Sequence, residues 1–157
     1  METEFKKYFR SPVGILELTA NDHGVTGLHF VQHAGKSTAQ NSHLKQCVAE
    51  LEEYFKGKRK DFTLNLVLKG TEFQTKVWDA LLSIPYGETA SYLDIAKKIG
   101  DKNATRAVGG ANNKNPVAII VPCHRVIAHD GSMGGFGGGL PNKEWLLNHE
   151  HKVAGKR

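Results

Sequence analysis

The sequence predicts a small α/β lobe over residues 1–68, followed by a mostly helical domain over residues 69–157 that carries a helix-turn-helix. Three observations predict this. Short, partly alternating runs separated by turn residues open the chain. One later run, 44–55, keeps its apolar residues on a single helical face. From residue 71 onward, two capping-box spacings each precede an apolar stripe.

The opening runs are "EFKKYF", "GILELTA" and "GVTGLHFV", divided by "RSPV" and "NDHG". Pro12 and the Asp22-His23-Gly24 stretch are turn chemistry, so a meander or hairpin is expected. In "HLKQCVAELEEYF", Leu44, Cys47, Val48, Leu51 and Phe55 recur at i, i+3, i+4, i+7 and i+11. Cys47 in that stripe reads as a small buried hydrophobe. "GKRK" closes the helix, and "DFTLNLVL" is a further strand or an extended connector.

In "TEFQTKVWDALLSIP", Thr71 and Gln74 have capping-box spacing, and Phe73, Val77, Trp78, Leu81 and Leu82 form the apolar face. Pro85 and Gly87 stop this helix. Ser91 and Asp94 open the next one, with Tyr92, Ile95, Ala96 and Ile99 on one face and Gly100 at the C-terminal cap position. Asn103 is expected to cap a third helix, "ATRAVGGANN". Helix, tight turn and short helix together resemble a helix-turn-helix.

That third segment is nearly all small: Ala104, Ala107, Gly109, Gly110 and Ala111. A glycine costs about 1 kcal/mol in a helix interior relative to alanine. Two in a row imply that something approaches closely, either another helix or a nucleic-acid backbone. The glycine-rich "AHDGSMGGFGGGLPNKEW" is expected as a loop, and "NKEWLLNHE" as a final helix with Pro141 in its first turn and Glu150 at its end, the residues beyond it frayed.

Composition removes several function classes. At 157 residues with 39% hydrophobic and 24% charged residues, the chain can bury a core without staples. Two cysteines are too few for a disulfide framework, and the eight histidines show no metal-ligand spacing with them, so no metal or cofactor is expected. With neither a signal core nor an apolar run of membrane-spanning length, a cytoplasmic protein without membrane contact is expected. A net charge of +5 is compatible with a polyanionic partner.

The chemistry concentrates in "NPVAIIVPCHRVI", residues 115–127. An apolar, strand-like run ends at Pro122, which turns the chain, and Cys123, His124 and Arg125 follow. A free cysteine with a pKa near about 8.5 is only a few per cent thiolate at neutral pH. Lowering that pKa by two units takes about 2.7 kcal/mol, which a histidine–carboxylate pair can supply. Adjacent residues seldom face each other, so coupling of Cys123 to His124 is expected through a water, with the orienting carboxylate coming from elsewhere in the chain. The plain alternatives are a buried cysteine beside a surface histidine, and a cysteine hydrolase on an unrelated fold.

The same string resembles the active-site signature of the O6-alkylguanine-DNA alkyltransferases, the methylated-DNA–protein-cysteine methyltransferases. "FQTKVWDALLSIPYGETASYLDIAKKIG", "ATRAVGGANNKNP" and "GGLPNKEWLLNHE" resemble the rest of that family's C-terminal domain, in order and with similar spacing. The resemblance implies a ribonuclease H-like N-terminal lobe and a single-turnover transfer of an alkyl group from O6-alkylguanine, and from O4-alkylthymine, in double-stranded DNA. It implies Cys123 as acceptor, His124 as its base, Glu150 as the carboxylate that orients the histidine, and Tyr92 as the group that assists guanine's departure.

It further implies that Arg106 fills the gap left by a flipped nucleotide, and that Ser91, Ala104, Thr105 and Gly109 lie against DNA. Val126, Gly137, Asn115, Met133 and Lys143 would belong to the base pocket, with Asn115 tying the helix-turn-helix to the active-site strand. A monomer that can bind DNA cooperatively is implied. Two positions depart from the family: Gly137 stands where many members carry serine, and Phe136 where tyrosine is common. A non-catalytic lesion-binding module of the same fold is the alternative reading; such relatives replace the nucleophile, and Cys123 is present here.

Overall fold

The computed structural model describes residues 3–155, and its chain divides into two compact units, residues 1–69 and 70–157. In the first unit β1 (Phe5–Ser11), β2 (Gly14–Ala20) and β3 (Val25–Val31) form an antiparallel meander in the order β1-β2-β3. Alternation on β2 sends Leu16 and Leu18 inward, both fully buried, against α1 (Ser42–Phe55). Asn41 caps α1 by accepting from the backbone N–H groups of His43 at 2.9 Å and Leu44 at 3.1 Å.

The α1 stripe is broader than its apolar spacing suggests. Leu44, Cys47 and Leu51 are buried as expected, but so are Glu50 and Tyr54, while Val48 is only half-buried. Burial pushes the Cys47 thiol up to about 12, with the Glu50 charge adding to it. Glu50 is buried because it is satisfied: it accepts from the Thr63 backbone at 2.8 Å, the Thr63 hydroxyl at 2.6 Å and Gln46 at 2.8 Å. Those bonds hold the segment after α1 against the helix. That segment is an extended connector with one isolated bridge, Leu66 to Val25, and not a further full strand. It passes so close to Gly24 that a Cβ there would lie 2.5 Å from the Asn65 carbonyl oxygen, which is why the turn needs glycine.

The second unit is built on α2 (Glu72–Leu81), α3 (Tyr92–Lys98), α4 (Thr105–Asn113) and α5 (Leu140–Val153). Both expected capping boxes form, Thr71 with Gln74 and Ser91 with Asp94. Gly100, at φ +86°, ends α3 in a Schellman motif: its N–H bonds the Lys97 carbonyl and the Asp101 N–H bonds the Ala96 carbonyl. α2, α3 and α4 pack together, and the Trp78 indole donates to the Ala111 carbonyl at 2.9 Å.

Four expectations are corrected here. Asn103 does not cap α4; Ala104 holds the cap position without a side-chain bond, because Asp101 and Asn103 are engaged in a turn of their own. Leu82 lies one residue past α2 and is 45% exposed, so it leaves the apolar face. The apolar run before Cys123 is not a strand. Residues 117–121 fold into a buried turn, closed by an Ala118–Val121 bridge and by Ile119 at φ +72°. Asn115 supports that turn from inside, donating to the Val121 carbonyl at 2.7 Å and accepting from the Val117 N–H at 3.0 Å. Finally, α5 continues past Glu150 to Val153, so residues 151–153 are helical where fraying was expected; Lys156 and Arg157, the end of that stretch, lie outside the described residues.

Candidate active site

Cys123 sits on a single 3-10 turn, Cys123–Arg125, that follows Pro122. β5 (Val126–Ile127) leaves this turn and pairs in parallel with β4 (Ala90–Ser91), which runs directly into α3. The short ladder therefore places the cysteine turn beside Tyr92, the first residue of α3. Neither two-residue strand has a sequence signature of its own.

α5 supplies the other wall. Lys143, Leu146, Leu147 and Glu150 share its inward face at i, i+3, i+4 and i+7, and all four are buried. The two leucines pack, while the two charged residues meet polar partners. Lys143 Nζ donates to the Val126 carbonyl at 2.5 Å and to the Gly135 carbonyl at 3.3 Å. Glu150 Oε2 lies 2.7 Å from His124 Nε2, and Glu150 Oε1 accepts from Arg125 Nε at 2.7 Å. The carboxylate that sequence reasoning required from elsewhere in the chain thus stands against His124. Arg125 Nη2 also reaches Glu150 Oε2 at 3.2 Å, and its Nη1 donates to the Ile84 carbonyl at 2.8 Å.

The charge states follow from this packing. Burial alone would raise the Glu150 carboxyl, but His124 and Arg125 hold it well below the usual carboxylate range. Burial lowers His124; Glu150 opposes that, while Arg125 and Lys143 add to it, and the imidazole is held neutral. With an ionised Glu150 and a neutral His124, Nε2 carries the hydrogen and donates it to the carboxylate. Nδ1 is then the basic nitrogen. It is buried with no hydrogen-bond partner among the described residues, so its lone pair is available to accept a proton.

Both depressed groups predict the same pH response. A folded pKa below the unfolded value means that the unfolded chain binds more protons, so stability rises with pH. The contribution of these two groups is complete above the unfolded histidine value of about 6.5 and falls as pH drops below it, with Glu150 extending the loss below about 4.3. The urea midpoint should therefore decrease steadily on acidification from neutrality. A midpoint unchanged down to about pH 4 would contradict these charge states.

The thiol differs from the sequence expectation. Burial pushes the Cys123 thiol up; the Asn115 side chain and Lys143 pull the other way without reversing it. The resting sulfur is therefore a neutral thiol at neutral pH. Burial likewise raises the Tyr92 phenol, with the Gly135 backbone opposing, so Tyr92 keeps its proton at neutral pH. The Tyr92 ring lies between α4 and the glycine loop: a Cβ at Gly109 would stand 3.8 Å from it, and one at Gly134 would fall 2.6 Å from its hydroxyl. The Tyr92 hydroxyl thus explains the glycine at 134, whereas a Cβ at 109 would make only ordinary contact with the ring.

The remaining expected residues divide. On α4, Val108, Ala111 and Asn112 face inward, while Arg106, Ala107 and Gly110 are exposed. A Cβ at Gly110 would meet nothing within 4 Å, so internal packing does not explain that glycine. Thr105 and Gly109 are half-buried on the same helix, at whose start Ala104 lies. Ser91 spends its hydroxyl on the α3 cap, accepting from the Asp94 N–H at 2.9 Å. Met133 is half-buried in the glycine loop, and Gly137, exposed in the same loop, has its would-be Cβ 3.9 Å from the Asn113 carbonyl oxygen.

Sequence reasoning missed Asn112, which is buried and reaches the Cys123 carbonyl at 3.4 Å, and it saw Arg125 only as a local positive charge. Asn112 follows the small residues of α4 without any distinguishing spacing. Arg125 has a signal, a cation placed directly after the candidate base, but its partners come from elements 41 and 25 residues away in sequence.

Residues 72–152 match the family model described as the DNA binding domain of 6-O-methylguanine DNA methyltransferase, and residues 5–68 match that of its ribonuclease-like domain. A methylated-DNA–protein-cysteine methyltransferase of Methanosarcina acetivorans is 45% identical over 148 residues, covering 90% of this chain and 95% of the relative. One of Mycobacterium leprae is 46% identical over 149 residues, covering 91% and 90%. The crystal structure of the Mycobacterium tuberculosis O6-methylguanine methyltransferase superposes with a TM-score of 0.88 at 42% identity, covering 96% of this chain and 94% of that one. A Mycobacterium tuberculosis OGT in complex with DNA superposes with a TM-score of 0.87, also at 42% identity, covering 94% and 93%.

Proposed function

The chain belongs to the 6-O-methylguanine DNA methyltransferase family, and from that premise we propose that Cys123 is the sulfur that accepts the alkyl group. The activity is DNA repair: a methyl group passes from O6-methylguanine in DNA to a cysteine of the protein. What supports Cys123 as that cysteine is the neutral His124, fixed by Glu150 with its basic nitrogen free, on the residue next to the thiol.

The reaction begins with access. A base stacked in a duplex is out of reach, so the damaged nucleotide is flipped out, at a few kcal/mol for unstacking. The exposed small face of α4 enters the minor groove, with Arg106 filling the gap in the stack and Ala104, Thr105, Gly109 and Ser91 near the strands. Gly110, which no internal contact requires, favours a partner outside the protein. The minor groove carries little sequence information, so binding is sequence-tolerant and weakens with salt.

The flipped base is held in the second unit by Val126, Gly137, Asn115, Met133 and Lys143. His124 Nδ1 takes the Cys123 proton through a water. The thiolate attacks the alkyl carbon, the carbon–O6 bond breaks, and its electron pair passes into the guanine ring. Tyr92 supplies a proton to that ring and is reprotonated from the imidazolium. The thioether is stable, so each molecule reacts once. O4-alkylthymine presents the same electrophilic carbon and is a second substrate. The protein works as a cytoplasmic monomer, without a cofactor, on double-stranded DNA.

Incubation with a duplex carrying one O6-methylguanine, followed by digestion and mass measurement, should find the Cys123 peptide heavier by one methyl group. Unchanged mass with intact DNA binding would support a lesion-binding module instead. Tyr92→Phe keeps the ring that packs against Gly109 and loses only the proton. Transfer should slow about 100-fold with little change in DNA affinity, the lower end of what a positioned acid contributes. Equal rates for the variant and the wild type would remove Tyr92 from the chemistry.

A further inference from the structure

We propose that Arg125 is a positioning residue that keeps His124 a neutral base, by neutralising the Glu150 carboxylate that orients it. The inference deepens the proposed mechanism and rests on its assignment of His124.

The problem Arg125 solves is a conflict of requirements. The imidazole must be oriented, and a buried carboxylate does that well. Yet a lone buried carboxylate beside an imidazole stabilises the imidazolium, and an imidazolium cannot accept the thiol proton. The structure answers with a second cation on the same carboxylate. Arg125 takes Glu150 with two nitrogens, at 2.7 and 3.2 Å, and the oxygen it shares, Oε2, is the one that His124 Nε2 contacts at 2.7 Å. The guanidinium cannot deprotonate, so the Arg125–Glu150 pair is neutral as a whole at any working pH. Orientation survives because the hydrogen bond remains, and the guanidinium opposes the carboxylate's pull on a second proton, adding to the burial that already disfavours the imidazolium.

Arg125 is itself held from two further sides. Nη1 donates to the Ile84 carbonyl at 2.8 Å, beyond the end of α2, and the guanidinium carbon lies 5.5 Å from the centre of the Tyr86 ring. All three guanidinium nitrogens are used, a fork that a lysine reproduces only in charge.

The charged and titratable groups around His124 are few. From α5 come Glu150 and Lys143, the second already bonded to the Val126 and Gly135 carbonyls. From its own turn come Cys123 and Arg125. Past α2 stand the neutral Ile84 carbonyl and Tyr86, whose phenol burial pushes up to about 12 and so keeps uncharged. From α4 comes the amide of Asn112, through the Cys123 carbonyl. Arg125 is the group among these in direct contact with the carboxylate that could otherwise charge His124.

The test is a nitrogen NMR titration of His124 in the full-length protein, run beside the pH profile of single-turnover methyl transfer. In the wild type His124 should be neutral at pH 7, with its hydrogen on Nε2; an imidazolium there would overturn the proposal. In Arg125→Gln, His124 should become protonated near neutrality. Its transfer rate at pH 7 should fall about 10-fold or more and recover as the pH is raised. A folded Arg125→Gln protein whose His124 titrates as in the wild type, or whose rate falls equally at every pH, would reduce Arg125 to a structural tether and defeat the idea. Should that variant not fold, Arg125→Lys decides: retained charge should keep His124 neutral, and an imidazolium in that variant overturns the proposal. Failure of the underlying mechanism is read separately, since His124→Ala transferring methyl at the wild-type rate would dismiss His124 as the base whatever its titration shows.

Discussion

Cys123→Ser should abolish methyl uptake while leaving DNA binding intact. The substitution is nearly isosteric at a buried position, and the turn that holds residue 123 is made by backbone bonds, Cys123 N–H to the Val121 carbonyl at 2.8 Å and Arg125 N–H to the Pro122 carbonyl at 3.0 Å. Neither bond involves the sulfur, so the fold and the exposed face of α4 should be unaltered. The chemistry is not. His124 is a weak base kept neutral by its surroundings, sufficient for a thiol but far too weak to populate a serine alkoxide. Transfer should fall by at least about 10⁴-fold, the scale on which loss of a nucleophile acts in other covalent enzymes. Mass measurement after incubation with the methylated duplex checks the loss, and a salt-matched binding titration checks that affinity is kept. A methylated serine variant, or methyl found on Cys47, would contradict the assignment; Cys47 is buried in α1 with its thiol pushed up to about 12, so it offers no competing nucleophile.

Glu150→Ala should be among the most destabilising single substitutions in the second unit. The carboxylate is buried and engaged by His124 and by two nitrogens of Arg125. Removing it leaves the Arg125 guanidinium, itself 6% exposed, without its counter-charge. Breaking one partner out of a buried ion pair costs about 3–5 kcal/mol, because the stranded charge cannot be neutralised by losing a proton. That is a large share of the total stability of an ordinary domain. Urea unfolding at pH 7 measures it. Glu150→Gln retains an acceptor for Arg125 and should be less damaging to stability while still slowing transfer, since a neutral amide orients and polarises His124 less strongly. A Glu150→Ala protein as stable as the wild type would show that the buried array carries no such energy.

The clearest failure of sequence reasoning lies in the run "PVAIIV". Its β-branched and apolar residues resemble a central strand, and the structure folds them into a turn. Periodicity reports burial, and burial is satisfied as well by a turn whose polar backbone is bonded from inside. Here Asn115 supplies those bonds. A related limit applies to α1, where the apolar spacing omitted Glu50 although it is as buried as Leu44. The bonds that admit Glu50 come from Thr63, across a loop that carries no pattern of its own.

What the sequence determined by itself was whatever depends on neighbours along the chain. Capping boxes at Thr71 and Ser91, the Gly100 stop, the meander of the first lobe and the proximity of a cysteine to a histidine are all encoded within a few residues of each other. A family resemblance then attached roles to Tyr92, Arg106, Lys143 and Glu150. Tertiary structure alone decided the charge states. Whether His124 is a base or a cation, and whether Cys123 rests as thiol or thiolate, depends on burial and on Arg125 and Glu150 meeting from segments 25 residues apart. Electrostatic energy follows distance in space and the exclusion of water, and neither quantity is written in the order of the residues.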